Sequence, residues 1–166
     1  MHSLSLPALA LVLVACSDPA ASSGPAPGGS DAPKDMVATL PLQAGEAAPV
    51  LTVTAQGGKK LELGKAGEEK TVVFFYPKDD TPGCTVEAQG FRDLHASFQE
   101  AKVRVIGVST QGEASHQAFI DKHSLPYDLV VDESGDVARA FRVPLTLGMA
   151  KRQTFLIGKD GKVEKA

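Results

Sequence analysis

Residues 72–76, VVFFY, are apolar without a break. A strand with one wet face alternates, so an unbroken run of this kind suits a strand buried on both faces of a sheet. Pro77 ends it, because proline has no amide hydrogen for the ladder. The same texture returns at 103–109, VRVIGVS, and at 127–132, YDLVVD. Between these runs the apolar spacing turns helical: Val86, Phe91, Leu94 and Phe98 recur beyond Thr85, and Phe119 and Ile120 face inward on a helix from Glu113 to His123. A short helix is expected at GDVARAF, 135–141. Strands alternating with helices require helices layered over a central sheet. One hairpin precedes this unit, turning at Gln56-Gly57-Gly58, and another closes it, turning at Lys159-Asp160-Gly161. The closing hairpin adds antiparallel strands, so the expected class is α/β with a mixed central sheet flanked by helices.

The 166 residues suffice for one ordinary domain, and a hydrophobic share of 43 % supports a real core. A net charge of -3 with no basic stripe excludes a nucleic-acid partner. Two cysteines, Cys16 and Cys84, cannot supply a disulfide framework. The four histidines make no zinc-like cluster with them, and no metal or other cofactor is implied. His116 and His123, seven residues apart on one predicted helix, are expected to face solvent.

The first sixteen residues form an apolar leader, too short between Leu4 and Ala15 to cross a bilayer comfortably and interrupted by Pro7. Its end, LVAC, resembles the bacterial lipoprotein cleavage box, although the leader has no Lys or Arg near its start. That resemblance implies a lipidated Cys16, an acyl anchor in the lipid bilayer, and a bacterial cell-envelope location facing the periplasm or exterior. The expected organisation is therefore a signal peptide over 1–16, a flexible Pro/Ala/Gly/Ser linker over 17–40, and one folded domain over 41–166. The linker is too poor in apolar surface to repay its ordering entropy.

Cys84 stands just past a Thr-Pro-Gly turn, where the helical pattern begins a few residues after the strand at 72–76. Ligand sites of α/β folds lie at the carboxyl ends of strands, where helix starts present unpaired amides. A free thiol titrates near ~8.5, and a helix start or a nearby cation favours the thiolate. Pro82 suits the first helical turn, since it has no amide hydrogen to satisfy. Gly83 lets a small ligand approach the backbone, and Thr81 offers a hydroxyl that both donates and accepts. Read alone, these residues leave two possibilities open: an activated sulfur beside a small polar pocket, or an inert buried cysteine.

Residues 46–165 resemble a peroxiredoxin of the bacterioferritin-comigratory (PrxQ-type) group. The pattern Pro-x-x-x-Thr-x-x-Cys is met by Pro77, Thr81 and Cys84, within the longer run FYPKDDTPGCTVEAQGFRD, and RQTFLI puts Arg152 at the place of the family's distant arginine. The resemblance implies a thioredoxin-like fold and thiol peroxidase activity on hydrogen peroxide or organic hydroperoxides. It implies Cys84 as the attacking sulfur, with Arg152 favouring the thiolate and steadying the leaving oxygen. Thr81 would hold the peroxide, Pro77 would shield the sulfur, Gly83 would lend its amide, and Glu87 and Arg92 would support the pocket.

Many members of this group carry a second reactive cysteine five residues after the first; here that position is Gln89. The implied mechanism is therefore of the one-cysteine type. The partner is an external thiol reductant, a thioredoxin-like protein or a small thiol, and the chain is expected as a monomer or weak dimer. The missing second thiol also admits another reading, a membrane-tethered redox sensor or binding module without efficient turnover. A dithiol oxidoreductase needs Cys-x-x-Cys, which Glu87 breaks, and a copper carrier on this fold needs Cys-x-x-x-Cys, which Ala88 breaks.

Overall fold

The computed structural model describes residues 40–166. Its centre is a five-stranded sheet, ordered from one edge as residues 128–131, 103–109, 70–75, 153–157 and 163–165. Strands β3 (Lys70–Phe75), β4 (Val103–Ser109) and β5 (Asp128–Val131) run parallel. Strands β8 (Gln153–Ile157) and β9 (Val163–Lys165) add to the other side antiparallel, so the sheet is mixed as expected. The leading hairpin, β1 (Leu51–Thr54) and β2 (Lys60–Leu63), turns through a short 3-10 segment at Gln56–Gly58. A second small hairpin, β6 (Leu145–Thr146) and β7 (Met149–Ala150), escaped the sequence pattern because each arm is two residues long.

The unbroken apolar run of β3 has a simple physical reason. Its side chains alternate between two separate cores, as a pleated strand dictates. Val72, Phe74 and Tyr76 enter one core with Val105, Phe119 and Leu129. Val73 and Phe75 enter the other with Ile106, Val108, Phe141 and Phe155. The first core is roofed by α1 (Pro82–Asp93), α2 (His95–Glu100) and α3 (Glu113–His123). The second is closed by the β1–β2 hairpin and by α4 (Asp136–Ala140), and it takes in Leu42 from the start of the described chain.

The helical stretch after Thr85 departs from expectation in two ways. It is two helices rather than one, divided at Leu94. Its buried face is set by Cys84, Ala88 and Phe91, whereas Val86 and Leu94 point outward at 70 % and 56 % exposure. Phe91 stacks on Phe74 at a centroid distance of 4.5 Å, a contact worth about 0.5–1.5 kcal/mol beyond its buried area. That stack pins α1 to the central strand, and with it the first turn that carries Cys84. His116 also departs from expectation: it is fully buried, and it shares the inward face of α3 with Phe119.

The envelope location expected from the leader is corrected here. Among the described residues no helix is long and apolar enough to cross a membrane, and those residues form a folded α/β unit with two cores of its own. The leader, the linker to residue 39 and Cys16 lie outside the described residues.

Candidate active site

Chain topology assembles the site. Strand β3 ends at Phe75, the chain turns through residues 76–80, and α1 begins at Pro82 with Thr81 as its N-cap. Strand β8 lies antiparallel beside β3, with Gln153 opposite Phe75. Arg152, the residue before Gln153, is thereby delivered to the carboxyl end of β3. There its Nη2 donates to Cys84 Sγ at 3.2 Å.

Cys84 is 3 % exposed and sits in the first turn of α1. Helix geometry leaves the first amides without intrahelical acceptors. Pro82 has none to satisfy, and Thr85 already donates to the Thr81 carbonyl at 2.8 Å. The amides of Gly83 and Cys84 are the two that the helix itself leaves unpaired. Thr81 does not cap them with its side chain; its Oγ1 donates to the Lys78 carbonyl at 3.2 Å, which closes the loop on itself. Pro77 is half-buried at the loop's entry. Gly83 is exposed, and a Cβ there would stand 3.7 Å from Arg152 Nη2, so glycine keeps the space beside the guanidinium open.

Glu87, one turn along α1, pairs with Arg152 Nη1. A single guanidinium thus bridges a carboxylate and a sulfur. Burial pushes the Glu87 carboxyl above its ordinary range, with Arg152 pulling the other way. Burial would lower Arg152, but its bond to Cys84 and the charge of Glu87 outweigh that and raise it. The guanidinium therefore stays charged where negative charge on sulfur or oxygen would form.

Arg92 is brought elsewhere. It pairs with Asp93 and donates Nη1 to the His123 carbonyl at 2.9 Å, so it ties α1 to the end of α3 and has no bond to Cys84, Glu87 or Arg152. Gln89, five residues after Cys84, has its amide 3.3 Å from His123 Nδ1.

A second group, absent from the motif around Cys84, lies behind the loop. Asp79, 6 % exposed, accepts from the Tyr76 hydroxyl at 2.7 Å, from Ser115 Oγ at 2.6 Å and from His116 Nδ1 at 2.9 Å. Burial opposes ionisation of Asp79, yet the bonds from His116 and Ser115 hold its carboxyl below the ordinary range. Burial and the Asp79 charge push Tyr76 well above the usual phenol value. A signal was present: His116 precedes Phe119 and Ile120 by three and four residues, the spacing of one helix face.

Known proteins resemble this chain over most of its described length. The AhpC/TSA family matches residues 44–166. Peroxiredoxin Bcp of Bacillus subtilis is 40 % identical over 133 residues, covering 76 % of this chain and 85 % of that protein. The chloroplastic peroxiredoxin Q of Arabidopsis thaliana is 42 % identical over 122 residues, covering 72 % of this chain and 56 % of the plant protein. The chain thus spans little more than half the length of such plant relatives. Among solved structures, the peroxidoxin BcpB of Mycobacterium tuberculosis superimposes with a TM-score of 0.68 at 35 % identity, over 74 % of this chain and 82 % of the other. A peroxiredoxin Q variant from Xanthomonas campestris gives a TM-score of 0.68 at 32 % identity, over 74 % and 85 %. With a family match across most of its length and relatives at 40 % identity or above, this chain belongs to the AhpC/TSA family, among the peroxiredoxins of the Bcp and peroxiredoxin Q type.

Proposed function

We propose that residues 41–166 form a thiol-dependent peroxidase that works through Cys84 alone. The observation that carries the reading is the guanidinium of Arg152 donating to Cys84 Sγ at 3.2 Å, at the start of a helix. In the first step the Cys84 thiolate attacks one peroxide oxygen. The S–O bond forms as the O–O bond breaks, and the departing oxygen takes a proton to leave as water or an alcohol. Negative charge moves from sulfur to the leaving oxygen, and a preorganised donor such as Arg152 is worth most where that charge arrives. Thr81 and the amides of Gly83 and Cys84 orient the peroxide, and Pro77 borders the pocket. Glu87 holds Arg152 in place.

The sulfenic acid then needs a thiol. Cys84 is the free cysteine among the described residues, and Gln89 offers none. An external thiol attacks the Cys84 sulfur, water leaves, and a mixed disulfide forms. A second thiol equivalent releases Cys84 and leaves as the oxidised disulfide. That sequence balances two electrons per peroxide.

Reduced protein mixed with stoichiometric hydrogen peroxide should incorporate a sulfenic-acid trap at Cys84, detected by mass spectrometry. Steady turnover should follow with dithiothreitol or a reduced thioredoxin. No trap at Cys84 would overturn the peroxidase reading. Trapping without turnover on any thiol would favour a sensor, the alternative that the absent second cysteine supports.

A further inference from the structure

Behind the loop that carries Pro77 and Thr81 lies a buried pair that peroxide chemistry does not touch. His116 is wholly inaccessible and Asp79 nearly so. His116 Nδ1 lies 2.9 Å from Asp79 Oδ2, and Nε2 lies 3.1 Å from the carbonyl oxygen of Val130. Both ring nitrogens thus face oxygen atoms of buried partners. The Tyr76 hydroxyl is 3.4 Å from Nδ1, but it donates at 2.7 Å to the other oxygen of Asp79. Ser115 fills a further position on Oδ2 at 2.6 Å. Three parts of the fold converge on this pair: Tyr76 just past the end of β3, the start of α3 at Ser115 and His116, and β5 at Val130.

Asp80 then turns the opposite way. Its φ of 56° reverses the backbone, and its carboxylate takes Lys122 and His123 from the far end of α3. Adjacent aspartates thus fasten one loop to two places on the same helix, one bond set dry and the other wet. The dry set is the stronger constraint, because a buried carboxylate cannot leave its donors without heavy cost. Thr81 follows directly, and Cys84 stands in the next turn.

We propose that Asp79 and His116 are positioning residues for the reaction at Cys84, holding the 77–81 segment so that Thr81 and the first amides of α1 meet the peroxide. His116 acts through Asp79 and touches no reacting atom. The proposal rests on the peroxidase reading above. A pair that served stability alone would leave the rate of the folded protein intact; a positioning pair costs rate without unfolding.

The test uses the full chain as wild type, Asp79→Asn, His116→Gln, the double variant and the milder Ser115→Ala. Two rates are read on folded, reduced protein: sulfenic-acid formation with hydrogen peroxide, and alkylation of Cys84 by iodoacetamide, which needs sulfur but no peroxide pocket. Each single variant should lose about 10-fold or more in the peroxide rate, with alkylation within about 3-fold of wild type. The double should fall little further than either single, as expected when two residues act as one unit. Ser115→Ala should show the same selective loss at about 2- to 5-fold, and it decides the matter if the other variants fail to fold. Peroxide and alkylation rates moving together, or a peroxide rate matching wild type in folded variants, would overturn the positioning role. Should wild type itself show no reaction at Cys84, the peroxidase reading falls and this proposal with it; a reactive wild type with indifferent variants sinks this proposal alone.

Discussion

Arg152 and Cys84 stand 68 residues apart in the chain, yet guanidinium Nη2 meets the sulfur at 3.2 Å while Nη1 holds Glu87. One planar group makes both contacts, which a single ammonium on a flexible stem cannot reproduce with the same geometry. Arg152→Lys should therefore slow reaction with hydrogen peroxide by about 100-fold, and Arg152→Ala by a similar factor or more. Competition against a fluorescent peroxide probe measures it. A lysine variant at the wild-type rate would contradict the two-contact role.

Under the proposed one-cysteine mechanism, with Gln89 in place of a second thiol, an oxidised Cys84 waits for an outside thiol. At several equivalents of peroxide without reductant, Cys84 should gain two and then three oxygens, products most proteins cannot reverse. Gln89→Cys should divert this path to an intramolecular disulfide. Five residues along a helix put the two thiols about 7.5 Å apart along the axis, so bridging requires the start of α1 to unwind. Mass spectrometry should show two hydrogens lost in place of oxygens gained, with a fall in helical circular dichroism. A variant that over-oxidises like wild type would count against local unwinding.

Asp79 sets the sign of one acid-side effect. Its carboxyl titrates below the ordinary aspartate range in the folded protein, so folding favours the charged form. The resulting stability is present above the unfolded value near ~3.9 and is lost as pH falls through the lower folded value. Urea unfolding at pH 6, 4 and 3 should show wild type losing its advantage over Asp79→Asn across the acid step. An equal gap at all three values would show that Asp79 is not the titrating group.

Gly107 lies mid-strand in β4, opposite Phe74. A Cβ there would come within 2.6 Å of Leu129 Cδ2 and 2.8 Å of Phe74 Cζ. Gly107→Ala should cost about 1–3 kcal/mol by over-packing. Phe74 also carries the stack with Phe91 that pins α1, so the same variant should lower the peroxide rate. Chemical denaturation and the peroxide assay read the two effects separately.

Several of these relationships were written locally and could be read without coordinates. The run at 72–76 announced a strand with two buried faces, since it is apolar without a break, and Pro77 marked its end. Strand β4 and helix α3 were legible to their ends, because periodicity and breakers coincide there. Cys84 was conspicuous through Thr81, Pro82 and Gly83, whose backbone demands are nearest-neighbour matters. The break at Leu94 was invisible, because Phe91 and Phe98 keep helical spacing across it. His116 reads as exposed from its polarity alone and is buried because its acceptor, Asp79, lies 37 residues earlier in a loop.

Local chemistry by itself determined the alternation of strands and helices, the helix start beneath Cys84 and the absence of a thiol at position 89, because each depends on residues within a turn or two. Tertiary structure alone decided that β8 runs antiparallel to β3, which carries Arg152 to the sulfur. It also decided that α3 lies close enough for His116 and Ser115 to hold Asp79. Strand order and register arise from burying whole faces against one another, and no short window of residues encodes which distant partner that burial selects.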